Sequence, residues 1–320
     1  MWWVHSGDDA LPSDSLTPAA SPVATVCIAT HRRPDGLERL LNSLAAQTEA
    51  PDFDVVVIDN DPGGAGAAVA ARFAGSITIA YQIEPERGLA RVRNRAVAAA
   101  RGAFLAFIDD DEWADPQWLG ELHRQATLTG ADVVIGPVRV EFEASVAPAM
   151  RACGLFDTMP IADGEPVPWW FTRTSNAYVR RAALPSQDGP FSSEFDLTGG
   201  EDVELFWRMI DAGARVVAAT GASVTEFRPA RRARLGWVLR RAARDGHNKA
   251  RLEWRHRPQP ERRALGLAAA QRGAGEALAA LREWPSSRER AVRRALAAAG
   301  ELGKLAYLAG FRIEEYRHHA

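Results

Sequence analysis

The sequence predicts an α/β protein in which a mostly parallel central sheet is flanked by helices. Two observations support this prediction. Short apolar runs rich in β-branched residues alternate with helical patterns from residue 24 to about residue 136, which is typical of parallel strands joined by helices. The chain also has 320 residues, 47% hydrophobic and 25% charged, so it can form a substantial core and is neither disordered nor collagen-like.

The predicted elements follow one another regularly in this first part. The first strand, Ala24–Thr30, precedes a helix after Pro34 whose leucines recur at i, i+3, i+4 and i+7 from Leu37. Asp35 and Glu38 have the spacing of a helix N-cap and its N3 partner. The later predicted elements are strands over 53–58 and 77–81, a helix from 88 to 101, a strand over 104–108 and a strand within 131–140.

The second half of the chain has weaker patterns. Residues 145–200 contain prolines and turn-forming residues, and Gly199-Gly200 opens a helix that stops at Gly213. From Arg228 onward the segments are helical and rich in Ala, Arg and Leu. We therefore predict a flexible segment over 1–22, one α/β domain over 23–228 and a helical, basic extension over 229–320.

Several classes of protein are excluded. No stretch reaches the roughly 18 to 20 uninterrupted apolar residues of a membrane-spanning helix. The first 22 residues carry three aspartates where a secretory signal has a basic patch and an apolar run. Cys27 and Cys153 are too few for a disulfide framework. These features predict a cytoplasmic protein.

The net charge of −2 hides an uneven distribution. The segment 228–257 holds eleven Arg or Lys and two acidic residues, so it carries +9 and the rest of the chain −11. This basic segment predicts a surface for phosphate, nucleic acid or anionic lipid. Its Trp237 among cations favours the inner face of the plasma membrane. A solvated helix or an oligomer contact is the alternative.

The acidic run Asp109-Asp110-Asp111-Glu112 follows directly on the apolar strand over 104–108. Ligands of open α/β sheets bind at the carboxyl ends of strands. Alternate residues of an extended segment point the same way, so Asp109 and Asp111 can converge while Asp110 faces elsewhere. A pair of carboxylates suits Mg²⁺ or Mn²⁺ shared with substrate phosphates. The alternative is a solvated turn before the next helix.

Polar residues follow two other strands and open one helix. Thr30, Arg32 and the neighbouring Arg33 could receive a phosphate or a base at the end of the first strand, and Asp59 could accept hydrogen bonds from a base or ribose. The helix after Gly88 presents polar and cationic groups. Taken singly, these features are equally compatible with basic surface loops and a solvated helix face.

A lone acidic pair stands at the start of the helix after Gly199-Gly200. Asp202 lies in its first turn, where the helix dipole favours negative charge, and could accept a proton from an attacking hydroxyl. The alternative is that Glu201 and Asp202 only complement the helix end. Trp169 and Trp170 could stack on a sugar, although packing is the alternative role for these indoles.

Five motifs follow one another along the chain. They are Val26 to Pro34 with the sequence VCIATHRRP, Val56 to Asn60 with VVIDN, Gly88 with Arg93-Asn94, Ala106 to Glu112 with AFIDDDE, and Gly199 to Asp202 with Arg208. In this order the motifs resemble glycosyltransferase family 2 with the GT-A fold, over roughly residues 23–228. The RRP and DDDE variants resemble those of bacterial exopolysaccharide enzymes of the succinoglycan type.

The resemblance implies a metal-dependent, inverting glycosyltransferase that takes a sugar from a nucleotide-sugar, a UDP-sugar by family habit, to a glycan or lipid-linked hydroxyl. Asp202 would be the catalytic base, and Mg²⁺ or Mn²⁺ would bind Asp109 and Asp111. We also assign acceptor contacts to Glu201, Trp169 and Trp170. The nucleotide-binding residues implied by the resemblance are Thr30, Arg32, Asp59, Arg93, Asn94 and Asp109.

The resemblance further implies transfer of one sugar, because the chain lacks the Gln-x-x-Arg-Trp motif and the transmembrane helices of processive synthases. Two alternatives stay open. A non-catalytic module could bind nucleotide or membrane within a glycan assembly complex. A sugar nucleotidyltransferase would share the metal carboxylates but open with a glycine-rich loop, whereas residues 30–34 contain no glycine. A nucleic-acid partner is not expected because the body is acidic.

Overall fold

The computed structural model describes residues 21–156, 160–185, 189–196, 198–255 and 257–313. The predicted flexible segment over 1–22 lies outside the described residues except for its last two positions. The first half of the chain alternates strands and helices as predicted. These elements are β1 (Ala24–Thr30), α1 (Pro34–Ala45), β2 (Phe53–Asp59), α2 (Ala67–Phe73), β3 (Ile79–Ile83), α3 (Leu89–Ala99) and β4 (Phe104–Asp109).

The second half contains short strands and then three long helices. The elements are β5 (Glu112–Ala114), α4 (Trp118–Thr129), β6 (Val133–Ile135), β7 (Val138–Phe142), α5 (Pro148–Arg151), β8 (Asn176–Arg180), α6 (Glu201–Asp211), β9 (Val216–Ala218), β10 (Val224–Arg228), α7 (Leu235–Trp254), α8 (Gln259–Glu283) and α9 (Arg288–Leu308).

The central sheet has seven strands in the order β3-β2-β1-β4-β8-β6-β9. β8 is antiparallel to β4 and β6, and the other pairs are parallel, so the predicted mostly parallel sheet is confirmed. A smaller sheet has the order β5-β10-β7. In the register of the large sheet, Thr30 lies opposite Asp59 and Ala29 opposite Asp109. The polar ends of β1, β2 and β4 therefore meet at one edge.

Helices cover both faces of this sheet. The α1 leucines are buried against one face together with Trp118 and Leu122 of α4. On the other face, Val92 of α3 and Phe206 of α6 are buried against residues of β2, β4 and β8. The strands are apolar on both sides because each face is covered.

The structure corrects four local predictions. Asp35 is not the N-cap of α1, because the helix begins with Pro34 at its first position, and the capping residue is Arg33. β3 lies two residues later than predicted, and α2 was not predicted. The strand predicted within 131–140 is two strands, β6 and β7, which belong to different sheets. Gly136 lies between these two strands. A Cβ added there would stand 2.2 Å from the Ala222 carbonyl oxygen, so only glycine fits at this position.

The three C-terminal helices form a layer in which α9 packs against both α7 and α8. The contact between α7 and α9 is very close. A Cβ on Gly246 would lie 2.0 Å from the Gly300 carbonyl oxygen, and one on Gly303 would lie 1.8 Å from that of Ala243. Small residues thus let the two helix backbones touch. Among the described residues, no helix is both long and apolar enough to cross a membrane.

Candidate active site

A cleft of about 1240 Å³ opens at the carboxyl ends of β1 and β4. Its walls come from these strand ends, from the start of α6 and from α7. Most of the predicted site residues line this cleft, namely Thr30, Arg32, Arg93, Asp109, Asp111, Trp169, Trp170, Glu201 and Asp202. The acidic run and the acidic helix start, separated by ninety positions in the sequence, therefore face a common space.

Within the acidic run, Asp110 turns toward the body of the protein. Its carboxylate accepts hydrogen bonds from Thr30 Oγ1 at 2.8 Å and from Arg33 Nη1 at 2.7 Å. Burial raises its pKa to about 6, against the opposing effect of Arg33. Thr30 thus anchors the acidic run, in addition to the nucleotide contact predicted for it.

Asp111 lies between two arginines. Its Oδ2 atom accepts from Arg33 Nη1 at 2.9 Å and from Arg232 Nη1 at 2.8 Å. Arg232 comes from the turn before α7, so the C-terminal part of the chain reaches the acidic run. The sequence did not single out Arg232, because only the fold brings it near Asp111.

Asp109 shares an electrostatic environment with the other carboxylates. Its side chain is 40% exposed, and its Oδ1 atom lies 3.4 Å from Arg93 Nη2. Desolvation is the main cause that raises the pKa of Asp109, and the charges of Asp111 and Asp202 raise it further. Asp202 is therefore close enough to Asp109 for their charges to interact.

The donor chemistry of this cluster fits a divalent cation that also binds phosphate. In the described part of the chain, no group of three or more His, Cys, Asp or Glu side chains could hold a metal ion. The pair predicted to bind a metal, Asp109 and Asp111, lines the cleft. A pair of this kind suits Mg²⁺ or Mn²⁺, which complete their coordination with water and substrate phosphates. A cation would also relieve the repulsion that raises the pKa of Asp109.

The backbone before α6 places Asp202 at the cleft. Gly199 and Gly200 have φ values of 68° and 95°, which favour glycine. Asn248 of α7 donates to the Gly199 carbonyl at 2.8 Å and so fixes this turn. The Asp202 carboxylate accepts from the amides of Val203 at 2.8 Å and Thr174 at 3.4 Å. It remains partly exposed at the positive end of the helix.

Glu201 is buried beside Asp202 and is 1% exposed. It forms an ion pair with Arg93, whose side chain is 7% exposed. Burial is the main cause that raises the pKa of Glu201 to about 7, with Asp202 adding to the increase. Its Oε2 atom has no hydrogen-bond partner among the described residues. Arg93 links the two acidic groups because it also contacts Asp109.

Two predicted nucleotide-binding residues do not line the cleft. The Asp59 carboxylate is fully buried and accepts from the amides of Asp61 and Gly66 and from the Tyr81 hydroxyl. The Asn94 amide exchanges two hydrogen bonds with the backbone of Phe191. In this structure both side chains hold loops of the protein, which the sequence did not indicate. Their contacts with a nucleotide stay predictions.

The two adjacent tryptophans lie in a 3₁₀ turn, Trp169–Phe171, with their rings at 86° to each other. Trp170 is 53% exposed. Lys249 Nζ of α7 lies 5.8 Å from the Trp169 ring and 5.4 Å from the Trp170 ring. Two indoles and an ammonium group therefore stand together on the wall of the cleft.

Much of the basic segment 228–257 faces the cleft. Arg251 and Arg255 pair with Glu194, and Arg257 pairs with Glu261. Six of its eleven cationic residues line the cleft, namely Arg228, Arg231, Arg232, Arg241, Arg244 and Lys249. The segment predicted to form a membrane surface thus lines one wall of the cleft, where five of these six cations form ion pairs with Asp or Glu.

The sequence matches known proteins over most of its length. The profile of Glycosyl transferase family 2 matches residues 25–183. Succinoglycan biosynthesis protein ExoM of Rhizobium meliloti is 34% identical over 296 residues, which cover 90% of this chain and 94% of that protein. Validoxylamine A glucosyltransferase of Streptomyces hygroscopicus subsp. limoneus is 30% identical over 222 residues, which cover 59% and 48%.

Solved structures share the fold. Mannosyltransferase PcManGT from Pyrobaculum calidifontis, in complex with GDP-Man and Mn²⁺, superposes with a TM-score of 0.61 at 19% identity, covering 91% of this chain and 88% of that one. S. aureus TarS 1-349 in complex with UDP has a TM-score of 0.51 at 17% identity, covering 92% and 93%. These likenesses confirm the predicted GT-A fold.

Proposed function

The chain belongs to glycosyltransferase family 2 and is a glycosyltransferase, and on that basis we propose that it transfers one sugar, with inversion, from a nucleotide-sugar to a hydroxyl of a glycan or lipid-linked acceptor. One observation carries this proposal. Asp202 lines the same cleft as Asp109 and Asp111, and its charge acts on Asp109. These positions support Asp202 as the base and Asp109 and Asp111 as the residues at the charged leaving group.

The proposed reaction is a single displacement at the anomeric carbon. The acceptor oxygen attacks the anomeric carbon while Asp202 accepts the hydroxyl proton. The bond from that carbon to the diphosphate oxygen breaks, and the nucleoside diphosphate leaves with the bonding electrons. Attack from the face opposite to the leaving group inverts the anomeric carbon, so no covalent sugar–enzyme intermediate forms.

Side chains of the cleft would help to neutralise the negative charge of the leaving diphosphate. Mg²⁺ or Mn²⁺ held by Asp109 and Asp111 would neutralise the negative charge of the diphosphate. Arg33 and Arg232 donate to Asp111 and stand beside that position. Guanidinium groups bind phosphate oxygens well, because their fork of N–H donors matches the geometry of two acceptors.

The donor and pathway are proposed from the relatives. TarS binds UDP and PcManGT binds GDP-Man with Mn²⁺, and we propose a UDP-sugar as the donor. ExoM is a succinoglycan biosynthesis protein, and we propose that this chain likewise assembles an exopolysaccharide. We place it in the cytoplasm, on the inner face of the plasma membrane, where a lipid-linked acceptor would be exposed.

The test is a transfer assay with a panel of sugar nucleotides, Mg²⁺ or Mn²⁺, and lipid-linked oligosaccharides from a polysaccharide-producing bacterium. Release of nucleoside diphosphate and a product of inverted anomeric configuration, measured by nuclear magnetic resonance, are expected. Asp202→Asn should lower turnover by about 10² to 10⁴-fold but keep affinity for the nucleoside diphosphate. Asp211→Asn, at the exposed end of the same helix, is the matched control.

Three outcomes would contradict parts of the proposal. Full turnover in Asp202→Asn would show that another group is the base. Retention of configuration would rule out single displacement. Tight binding of the nucleotide without turnover on any acceptor would favour a non-catalytic module of an assembly complex.

A further inference from the structure

An exposed apolar stripe runs along α8, the helix between Gln259 and Glu283. Leu267, Leu278 and Leu281 are 63%, 56% and 73% exposed. At about 100° per residue these three leucines lie on the same side of the helix. Three exposed alanines complete what we call the α8 stripe, which consists of Ala264, Leu267, Ala270, Ala274, Leu278 and Leu281, and the exposed Gln271 lies on the same side.

The opposite side of α8 is held by α9. Gly266, Ala269 and Gly273 are buried there, and a Cβ on Gly266 would lie 2.7 Å from Leu308. Glu276 and Glu283 also point to this side, because both pair with Arg294 of α9. The packing of α8 therefore uses its small and acidic residues together with Leu265, and leaves Leu267, Leu278 and Leu281 outside.

Cations flank the α8 stripe. Arg263 and Arg282 are exposed near its two ends, and neither forms an ion pair among the described residues. Trp284 follows directly, is 42% exposed, and has the Arg288 guanidinium 5.2 Å from its ring. Exposed leucines can bury apolar area in a lipid interface, and the neighbouring arginines can bind anionic headgroups.

We propose that the α8 stripe lies on an anionic membrane surface, with the leucines in the headgroup boundary and Arg263 and Arg282 at lipid phosphates. This inference rests on the proposed membrane location and assigns its contact surface. The α8 stripe replaces the basic segment 228–257 as the proposed membrane contact. Of the eleven cations in that segment, six line the cleft and three more are paired with glutamates.

A second copy of the chain is a poorer occupant of this surface. If two stripes packed against each other antiparallel, Arg263 of each copy would approach Arg282 of the other, and in a parallel pair each arginine would approach its own counterpart. No carboxylate belongs to the stripe to compensate this repulsion. An anionic lipid surface supplies the missing negative charge.

The experiment is flotation of the full chain with vesicles of phosphatidylcholine and phosphatidylglycerol. The double variant Leu278→Glu with Leu281→Glu should lower the partition coefficient by about tenfold or more, because it removes apolar burial and adds repulsion. Arg263→Glu with Arg282→Glu should lower it by about fivefold or more for each arginine, because each change removes a positive charge and adds a negative one. Leu128→Glu, at a leucine of α4 that is 72% exposed, is the control and should bind as the wild type does.

Other results would overturn the proposal. Loss of binding in Arg234→Glu with Arg240→Glu, two exposed positions of the basic segment, with no loss in Arg263→Glu and Arg282→Glu, would return the contact to that segment. A dimer, seen by light scattering, that Leu278→Glu dissociates without changing vesicle binding would make the second copy the occupant. Equal melting temperatures show that the variants are folded. Turnover on a detergent-solubilised acceptor tests the transferase separately and should be unchanged.

Discussion

Arg232 and Asp111 are 121 positions apart, yet Arg232 Nη1 donates to Asp111 Oδ2 at 2.8 Å. Arg33 donates to the same oxygen at 2.9 Å. Both arginines come from segments that adjoin the cleft, one after β1 and the other before α7. A carboxylate that we assign to the metal thus holds two guanidinium groups where the donor diphosphate would lie.

Arg232→Ala should weaken the binding of a nucleoside diphosphate by about tenfold when metal is removed by a chelator, because a charge-assisted hydrogen bond to phosphate is lost. Calorimetric titration with UDP measures this. Arg240→Ala, an exposed arginine of the same basic segment, should bind UDP as the wild type does. Equal affinities in all three proteins would show that Arg232 only neutralises Asp111.

Arg93→Met should destabilise the protein by about 3 kcal/mol, because it leaves Glu201 buried without its counter-ion. The pKa of Glu201, already about 7 in the folded protein against an ordinary 4.5, should rise further. A raised folded pKa means that the folded state binds the proton more tightly than the unfolded state. Relative to the wild type, the loss of stability should therefore grow as the pH rises above about 7, where Glu201 ionises in the wild type and stays protonated in the variant.

Chemical denaturation at several pH values measures this effect. Adding Glu201→Gln to Arg93→Met should recover part of the stability at high pH, since the buried charge is gone. A pH-independent loss, or no recovery in the double variant, would contradict a role for the charge of Glu201.

Gly303→Ala should destabilise the protein by about 1 to 3 kcal/mol, because its Cβ would lie 1.8 Å from the Ala243 carbonyl and force α9 away from α7. Gly275→Ala is the matched control. Gly275 lies in α8 with no atom near its added Cβ, so this change should stabilise the helix by about 0.5 to 1 kcal/mol. Urea denaturation should therefore separate the two variants in opposite directions.

The partly buried ring of His123 should make the folded protein less stable in mild acid than at neutral pH. Burial lowers its pKa from 6.5, and the ring lies 3.0 Å from the Tyr178 hydroxyl and edge-on to Phe104. Below about pH 6.5 the unfolded state binds the proton more readily than the folded state, so stability falls as the pH falls.

The substitution His123→Gln should flatten the dependence of unfolding free energy on pH between about 7 and 5. Tyr178→Phe removes the hydroxyl partner without removing the titrating ring, and it should keep a slope in the same direction. If the unfolding free energy of His123→Gln depends on pH as steeply as that of the wild type, groups other than His123 cause the pH dependence.

The early strands could be predicted because each carries its own apolar run. β8, β9 and β10 could not, since they are three to five residues long and are stabilised by partners far away in the sequence. For example, Asn176 pairs with Ile108. No local pattern marks such strands, and the segment 145–200, which contains β8, is therefore predicted to be rich in loops.

Part of the cleft lining was also predictable from the sequence. Asp109 and Asp111 were found because carboxylates at the end of a buried strand are costly without a partner. The internal hydrogen bonds of Asp59 depend on Tyr81 in the next strand, and the place of Arg232 depends on how the helical layer returns to the sheet. Such relations exist only in the folded chain, and sequence spacing does not report them.

The hydrogen bond from Asn248 to the Gly199 carbonyl links the α/β part of the chain to helix α7 of the C-terminal layer. The predicted boundary at residue 228 is where the secondary structure changes, but a protein truncated there would lose the support of the turn that carries the proposed base. A chimaera that joined residues 23–228 to the helices of another transferase would need an equivalent of Asn248 to be active. The structural division at residue 228 is therefore not a division of the proposed catalytic machinery, because a residue of α7 holds the turn that positions Asp202.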